Sequence, residues 1–232
     1  MKPATQPAAL AFVALLAVPA VAQPADDAPT LRARRLTASI GGLWLGGYDV
    51  GSRAATLRGP GSGPTPPPFT LFTVDGAFAG AGGVEARLGV TLAPRWSVEV
   101  SGTYARPRLA ADVGGDGEAG AVSFEGERIS QYTVEGSLVW DLGPRLGARA
   151  RPYLIGGGGY LRQLHEDRVL VVTGQVYHGG GGVRYWLRGA DGSRLAVGVR
   201  GEARIVARRR GIDFTGDVRV YPTAHGLVFL VF

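Results

Sequence analysis

Over residues 84–92 apolar and polar side chains alternate, with Val84, Ala86, Leu88, Val90 and Leu92 on one face and Glu85, Arg87, Gly89 and Thr91 on the other. A period of two is the mark of a strand with one apolar face. Beyond the short connection Ala93-Pro94-Arg95, the next run sets Trp96, Val98, Val100, Gly102 and Tyr104 against Ser97, Glu99, Ser101 and Thr103, which predicts a hairpin. The pattern returns at Tyr132, Val134, Gly136, Leu138, Trp140 and Leu142, opposite Gln131, Thr133, Glu135 and Ser137. It returns again at Leu195, Val197, Val199, Gly201, Ala203 and Ile205, interleaved with Arg200, Glu202 and Arg204. Weaker segments at residues 36–48, 152–163, 179–188 and 217–232 bring the expected strands to eight.

The intervals between these strands alternate in length. Long ones fall at about 49–80, 109–128, 164–178 and 208–216, and shorter ones at 93–95, 143–151 and 189–193. That rhythm predicts an all-β, eight-stranded, antiparallel up-and-down barrel with long loops at one rim and turns at the other. Both termini then lie on the short-turn side. The first long interval holds Gly59-Pro60-Gly61-Ser62-Gly63-Pro64 and Pro66-Pro67-Pro68, which reads as a loop outside any sheet. Residues 69–74 could extend a strand beyond the barrel.

Alternation alone does not say which face is inside. A membrane-spanning barrel turns its apolar face to lipid and keeps polar groups in the lumen, whereas a soluble barrel does the opposite. Placing Glu85, Arg87, Glu99, Glu135, Arg184, Arg200, Glu202 and Arg204 in the lumen gives four acids and four bases, balanced for internal pairing. The aromatics favour the membrane. Trp96 and Tyr104 stand eight residues apart on one apolar face, as do Tyr132 and Trp140 on another. At the rise and tilt of a barrel strand that spacing covers roughly 20 Å along the membrane normal, close to the height of an apolar band between two aromatic girdles. Both tryptophans fall at short-turn ends and both tyrosines at long-loop ends. In the last strand Leu227, Phe229 and Val231 make the lumen face apolar, a departure that puts strain on register and closure there.

Residues 1–22 pair Lys2 with an apolar run of about residues 8–18, then Pro19 and the small triplet Ala20-Val21-Ala22, the pattern of a secretory signal peptide. Residues 23–35 are expected as a periplasmic segment and 36–232 as the barrel domain. No stretch approaches the roughly 20 apolar residues of a spanning helix, so membrane residence would be by strands. The chain has no cysteine, leaving an exported protein without disulfides. Its formal charge of +6 would suggest nucleic acid in a cytosolic protein, but export points instead to anionic lipid head groups.

Candidate chemistry is sparse. The three histidines, His165, His178 and His225, have no serine close in sequence, which argues against a local acyl-transfer pair. His165-Glu166-Asp167 and the acidic Asp112, Asp116 and Glu118 read as solvated loops rather than metal sites, and no cofactor is expected. The runs Gly156 to Gly159 and Gly179 to Gly182 lack the G-x-G-x-x-G spacing and precede no helix. Glycines on adjacent strands instead let large side chains, such as Tyr160 or Trp186, lie across them. The cluster Arg208-Arg209-Arg210 opens the last long interval at the outer rim, where the phosphates of lipopolysaccharide are an apt partner.

In the last strand Val228, Leu230 and Phe232 share one face and end on an aromatic, a pattern that resembles the signal read by the bacterial barrel-assembly machinery. With the hairpin Gly179-Gly180-Gly181-Gly182-Val183-Arg184-Tyr185-Trp186-Leu187 and Arg194-Leu195-Ala196-Val197-Gly198-Val199-Arg200-Gly201-Glu202, the chain is similar to the small outer-membrane β-barrel family that includes the OmpA transmembrane domain and the OmpX and Ail proteins. The resemblance implies a monomer in the bacterial outer membrane, in contact with its lipids and lipopolysaccharide. A non-enzymatic structural or surface-interaction role is the leading expectation. A lipid A-modifying barrel enzyme and a soluble periplasmic lipocalin-like carrier are the alternatives.

Overall fold

The computed structural model describes residues 36–58, 68–114, 122–143, 149–165, 170–188 and 195–232. The expected leader and the segment 23–35 lie outside these residues, as do Asp116, Glu118, Glu166, Asp167 and Arg194. Among the described residues twelve strands form: β1 (Leu36–Leu45), β2 (Tyr48–Arg58), β3 (Pro68–Phe78), β4 (Ala81–Ala93), β5 (Trp96–Ala105), β6 (Arg108–Gly114), β7 (Val122–Arg128), β8 (Ser130–Asp141), β9 (Ala150–Leu164), β10 (Val171–Arg188), β11 (Ala196–Arg210) and β12 (Arg219–Val231).

Eight of them close into an antiparallel barrel in the order β1-β12-β11-β10-β9-β8-β5-β4. These coincide with the eight segments that alternate in sequence. The doubt at the last strand is resolved, because β12 pairs with β1 from Val231 to Thr223 and with β11 from Val231 to Arg219. Its apolar inner face does not disturb register because it packs on other apolar groups. Phe229 and Val231 form a buried cluster with Ala196, and Trp186 meets the Phe229 ring edge-on at 4.8 Å.

The remaining four strands occupy the long intervals expected as loops at 49–80 and 109–128, and the strand extension expected at 69–74 falls within β3. These four form a sheet in the order β2-β3-β6-β7, which repeats the barrel order β1-β4-β5-β8. Each is thus the upward continuation of a barrel strand, broken from it at Gly46-Gly47, Ala79-Gly80, Arg106-Pro107 and Ile129. The breaks are bonded to one another: Ala79 N–H donates to the Arg108 carbonyl and Ile129 N–H to the Pro107 carbonyl, both at 2.9 Å. Pro107 has no N–H of its own to offer a ladder, so a strand interruption suits it.

Which face is inside follows from burial. Ile40, Leu88, Val100 and Val134 are 55–69% exposed on the outer wall, while Glu85, Arg87, Arg200 and Arg204 are no more than 3% exposed in the lumen. A continuous apolar exterior around a charged interior is the inverse of a water-soluble barrel, and a patch of that extent marks a lipid-facing surface. Two girdles bound it. Trp96 and Trp140 stack at 5.7 Å near the short-turn end, and Tyr104 and Tyr132 lie 4.9 Å apart at the other, with Tyr160, Tyr177 and Trp44 also facing outward on that side.

Candidate functional site

The lumen has layers that parity along the strands creates. All eight charged residues expected there project inward, joined by Asp141, Tyr153, His178 and His225. Glu202 is the hub. Its carboxylate accepts from Arg87 at 3.1 Å, Arg200 at 2.7 Å and the Tyr153 hydroxyl at 2.6 Å, and it also receives Arg204 Nε. Glu85 takes two bonds from Arg87, at 2.6 and 2.8 Å. Glu99 receives Arg200 at 2.8 Å and Arg184 at 3.0 Å, and Arg184 reaches on to Asp141 at 3.0 Å. Arg204 reaches Glu135 at 3.2 Å. The guanidinium of Arg200 lies 4.6 Å from the Tyr153 ring centroid.

Apolar layers close this network from both sides. Toward the short turns lie Phe229, Val231, Ala196 and Trp186, with Val139, Tyr153 and Ile155 beside them. Above it, Leu43, Leu45, Ala105, Leu161, Val176, Val206 and Tyr221 form one buried cluster. The main ion-paired layer is thus flanked by apolar groups on both sides; the apolar inner face of the last strand announced the lower group in the sequence, and nothing announced the upper one. Higher still, Gln163 and Gln131 bond at 3.0 Å, and Val50, Phe78, Ile129 and Ile212 make a separate core over the mouth.

Residues 211–218 form the lid of that mouth. Ile212 N–H donates to Gln163 Oε1 at 2.9 Å, and Phe214 N–H to the Val50 carbonyl at 2.9 Å. The turn starts with Arg210 at φ 66° and Gly211 at φ 93°, both left-handed, a conformation that suits Gly211 and strains Arg210. Asp213 then organises it, accepting from Arg219 Nε at 2.6 Å, Thr215 N–H at 2.8 Å and Gly216 N–H at 2.7 Å. Burial opposes its ionisation, but Arg219 and these N–H groups outweigh burial and hold the carboxyl below the usual aspartate range. A depressed folded value means that its contribution is complete above the ordinary aspartate pKa of about 3.9 and is lost as pH falls through the lower folded value. Protease cutting of the lid should therefore stay level from about pH 5 to 8, and Asp213→Asn should raise it across that whole window. A steep pH response of the unsubstituted lid between 5 and 8 would contradict this assignment.

Arg208 corrects the expected rim cluster. It is fully buried, its guanidinium donating to Tyr48 Oη at 2.7 Å and to the Ile212 carbonyl at 2.8 Å, so it fastens the lid and is not available to lipopolysaccharide. It shares the even parity of Arg200, Glu202 and Arg204, a signal already present in the sequence. Arg209 and Arg210 are exposed. Val228 and Leu230 lie on the outward face of β12, and Phe232, just past its end, is exposed on the same side.

Two hydroxyl–imidazole–carboxylate sets lie in the lumen that nearest-neighbour reading of the histidines misses. His178 Nε2 is 3.0 Å from Ser137 Oγ, and its Nδ1 is 3.1 Å from Glu135 Oε2, though off the line a hydrogen bond needs. His225 Nε2 is 2.9 Å from Thr223 Oγ1, with Nδ1 2.7 Å from Glu85 Oε2. Strand parity would have brought these groups together, since all project inward. The arrangement has the atoms of an acyl-transfer triad. The cavity beside Glu135, Arg204, Thr223 and His225, at the second set, is about 20 Å³, enough for a water and too small for an acyl chain. His165 sits above, its Nδ1 2.8 Å from Glu127. No cluster of three or more metal-ligating side chains occurs among the described residues.

The glycine runs fit their expected use, with different side chains lying across them. A Cβ at Gly182 would meet the Tyr153 hydroxyl and ring and the Gly201 carbonyl, and one at Gly198 would meet the Phe229 ring. In the runs themselves Tyr153 lies across Gly182 and Tyr177 against Gly158, rather than Tyr160 or Trp186; Gly198, which Phe229 crosses, is outside both runs.

Comparison of the sequence with family models and with curated proteins finds no match. Among solved structures, the chain is similar to the outer membrane protein OprG from Pseudomonas aeruginosa, at 12% identity and a TM-score of 0.47, over 85% of this chain and 95% of that one. It is similar to Ail, the attachment invasion locus protein of Yersinia pestis, at 12% identity and a TM-score of 0.41, over 85% and 98%. The outer membrane protease OmpT from Escherichia coli also aligns, at 10% identity and a TM-score of 0.32, over 86% and 96%. The likeness is one of fold, and the closed barrel stands on its own strand pairing.

Proposed function

We propose that the chain is an integral barrel of the bacterial outer membrane whose lumen conducts nothing and catalyses nothing, and whose role lies in its lipid-facing wall and surface sheet. The observation that carries this reading is the sealed interior: an ion-paired layer held between two apolar layers, under a lid fastened by Arg208. An eight-stranded barrel has an interior just wide enough for side chains to fill. The apolar exterior supports membrane residence, and β2, β3, β6 and β7 supply a surface for contact outside the membrane. A soluble carrier with an apolar ligand chamber is disfavoured, because the largest group of lumen residues is charged and paired.

Planar-bilayer recording is the direct test. The protein should show no stable conductance, and loosening the lid with Arg208→Ala should still leave the lower apolar layer closed. Steady large steps from the unsubstituted protein would refute occlusion. The Ser137–His178–Glu135 set gives a lipid-modifying enzyme its one specific support. Mass spectrometry of lipid A from cells with and without the chain separates the two readings: an unchanged acyl pattern fits the occluded barrel, and a change abolished by Ser137→Ala would establish the enzyme.

A further inference from the structure

The lumen is basic at its short-turn mouth. Arg95 stands opposite Asp141, whose N–H donates to the Arg95 carbonyl at 2.9 Å, and Arg149 stands opposite Trp186, whose N–H donates to the Arg149 carbonyl at 2.9 Å. Arg151 is the direct partner of Arg184 across β9 and β10. Asp141, Trp186 and Arg184 project inward, so register puts Arg95, Arg149 and Arg151 on the lumen side of the wall, away from its lipid side. All three are exposed, and none meets a carboxylate among the described residues. The acid beside them, Asp141, is already held by Arg184 at 3.0 Å.

Arg151 is ordered without an acid. Its guanidinium lies 5.8 Å from the centre of the Trp186 ring, a cation–π contact that fixes the group and leaves its N–H donors to the mouth. Like charges placed directly opposite are destabilising on their own, so the Arg151–Arg184 pairing costs stability unless an anion lies between them and the solvent. The rest of the inner rim differs, with Thr37 of β1, Thr91 of β4, Ala196 of β11 and Val231 of β12 carrying no charge. Trp186, Phe229, Val231 and Ala196 close the lumen beneath. The mouth is therefore a shallow dish with an apolar floor and a basic wall on one side. Arg149 and Arg151 are alternate residues, so they repeat at about 7 Å, the interval at which any extended peptide repeats its alternate side chains.

We propose that this dish binds an extended acidic peptide, with Arg149 and Arg151 taking carboxylates from alternate residues and Arg95, two strands away, taking a third. Placement on the lumen side separates this ligand from the lipid leaflet, whose head groups surround the outer wall. The site leaves the lumen occluded, and only its periplasmic address rests on residence in the outer membrane.

The test titrates the full chain, folded in neutral detergent micelles, against a fluorescein-labelled peptide of alternating glutamate and serine, with fluorescence anisotropy reading occupancy. Arg95→Ser, Arg149→Ser and Arg151→Ser combined should weaken binding by about threefold for each arginine removed. The matched change at the opposite rim, Arg106→Ser, Arg162→Ser and Arg209→Ser on the outward side of the wall, should leave it within about twofold. The same peptide with glutamine in place of glutamate should bind the unsubstituted protein no better than the glutamate peptide binds the short-turn variant. Phosphatidylglycerol added to the micelles should not displace the peptide. Equal losses from both sets of arginines, indifference to the glutamine exchange, or displacement by phosphatidylglycerol, which would assign these arginines to the leaflet, would overturn the proposal. A gel comparing boiled and unboiled samples reports folding of each variant, and of the barrel itself, separately from peptide binding. Should the triple variant not fold, Arg151→Ser alone carries the same comparison against Arg162→Ser.

Discussion

Replacing Glu202 with alanine is expected to destabilise the folded barrel by about 3–5 kcal/mol, because one buried carboxylate holds Arg87, Arg200 and Arg204 together. Removing one partner of a buried ion pair leaves the others charged in a medium that solvates them poorly, and here three cations lose their common acceptor. The Tyr153 hydroxyl also loses the oxygen it donates to. Urea unfolding of the chain in lipid vesicles, followed by tryptophan emission, measures the effect. Glu202→Gln keeps the shape and removes the charge, so a loss nearly as large from glutamine would assign the effect to charge. A loss below about 1 kcal/mol for alanine would mean that the arginines find other partners or water, and that the lumen is wetter than its packing suggests.

A second large effect is expected at Gly182. Valine there would drive its Cβ into the Tyr153 hydroxyl and the Gly201 carbonyl. Overpacking of this kind costs about 1–3 kcal/mol, and displacement of Tyr153 from Arg200 and Glu202 adds to it. Gly102 provides the comparison, because it faces outward and a Cβ there meets nothing within 4 Å. Gly102→Val should change stability by no more than about 0.5 kcal/mol. Equal effects at the two positions would show that these glycines serve strand flexibility rather than room for Tyr153.

The difference between the two glycines also shows what the sequence could and could not disclose. Parity assigned inside and outside correctly on the six barrel strands where faces were read, β4, β5, β8, β10, β11 and β12, because lipid on one side and charge on the other enforce strict alternation. It extended further than local reading took it: β10 begins at Val171 and β11 runs to Arg210, so His178 and Arg208 belong to the lumen. An arginine triplet looks like a surface patch, yet consecutive residues of a strand cannot share one face. Parity also places Ser137, Glu135 and His178 together once barrel order is known, but strand neighbours are set by register, which no single segment carries.

The upper sheet was hidden for a different reason. Its alternation is interrupted by register shifts at Asp49/Gly51, Ala55/Thr56 and Leu109/Ala111, and Leu57, Phe69 and Leu71 stay exposed where a period-two reading expects burial to alternate. A strand with both faces partly open has no strong periodicity to detect. The lid was equally silent, since its anchors, Gln163 on one side and Arg208 and Asp213 on the other, lie far apart in the chain and act through side-chain hydrogen bonds that leave no periodic pattern.

In the proposed membrane barrel the apolar exterior meets lipid and the charged face lies inside. With no native cysteine, the chain accepts single cysteines along β5 without further change. Spin labels placed in turn from Ser97 to Gly102, in the protein folded into lipid vesicles, report collisions with oxygen, which concentrates in lipid, and with a water-soluble nickel chelate. Positions 98, 100 and 102 should be rich in oxygen contact and closed to the chelate, while 97, 99 and 101 should be closed to both. Chelate contact at 98, 100 and 102 would place that face in water and contradict the account.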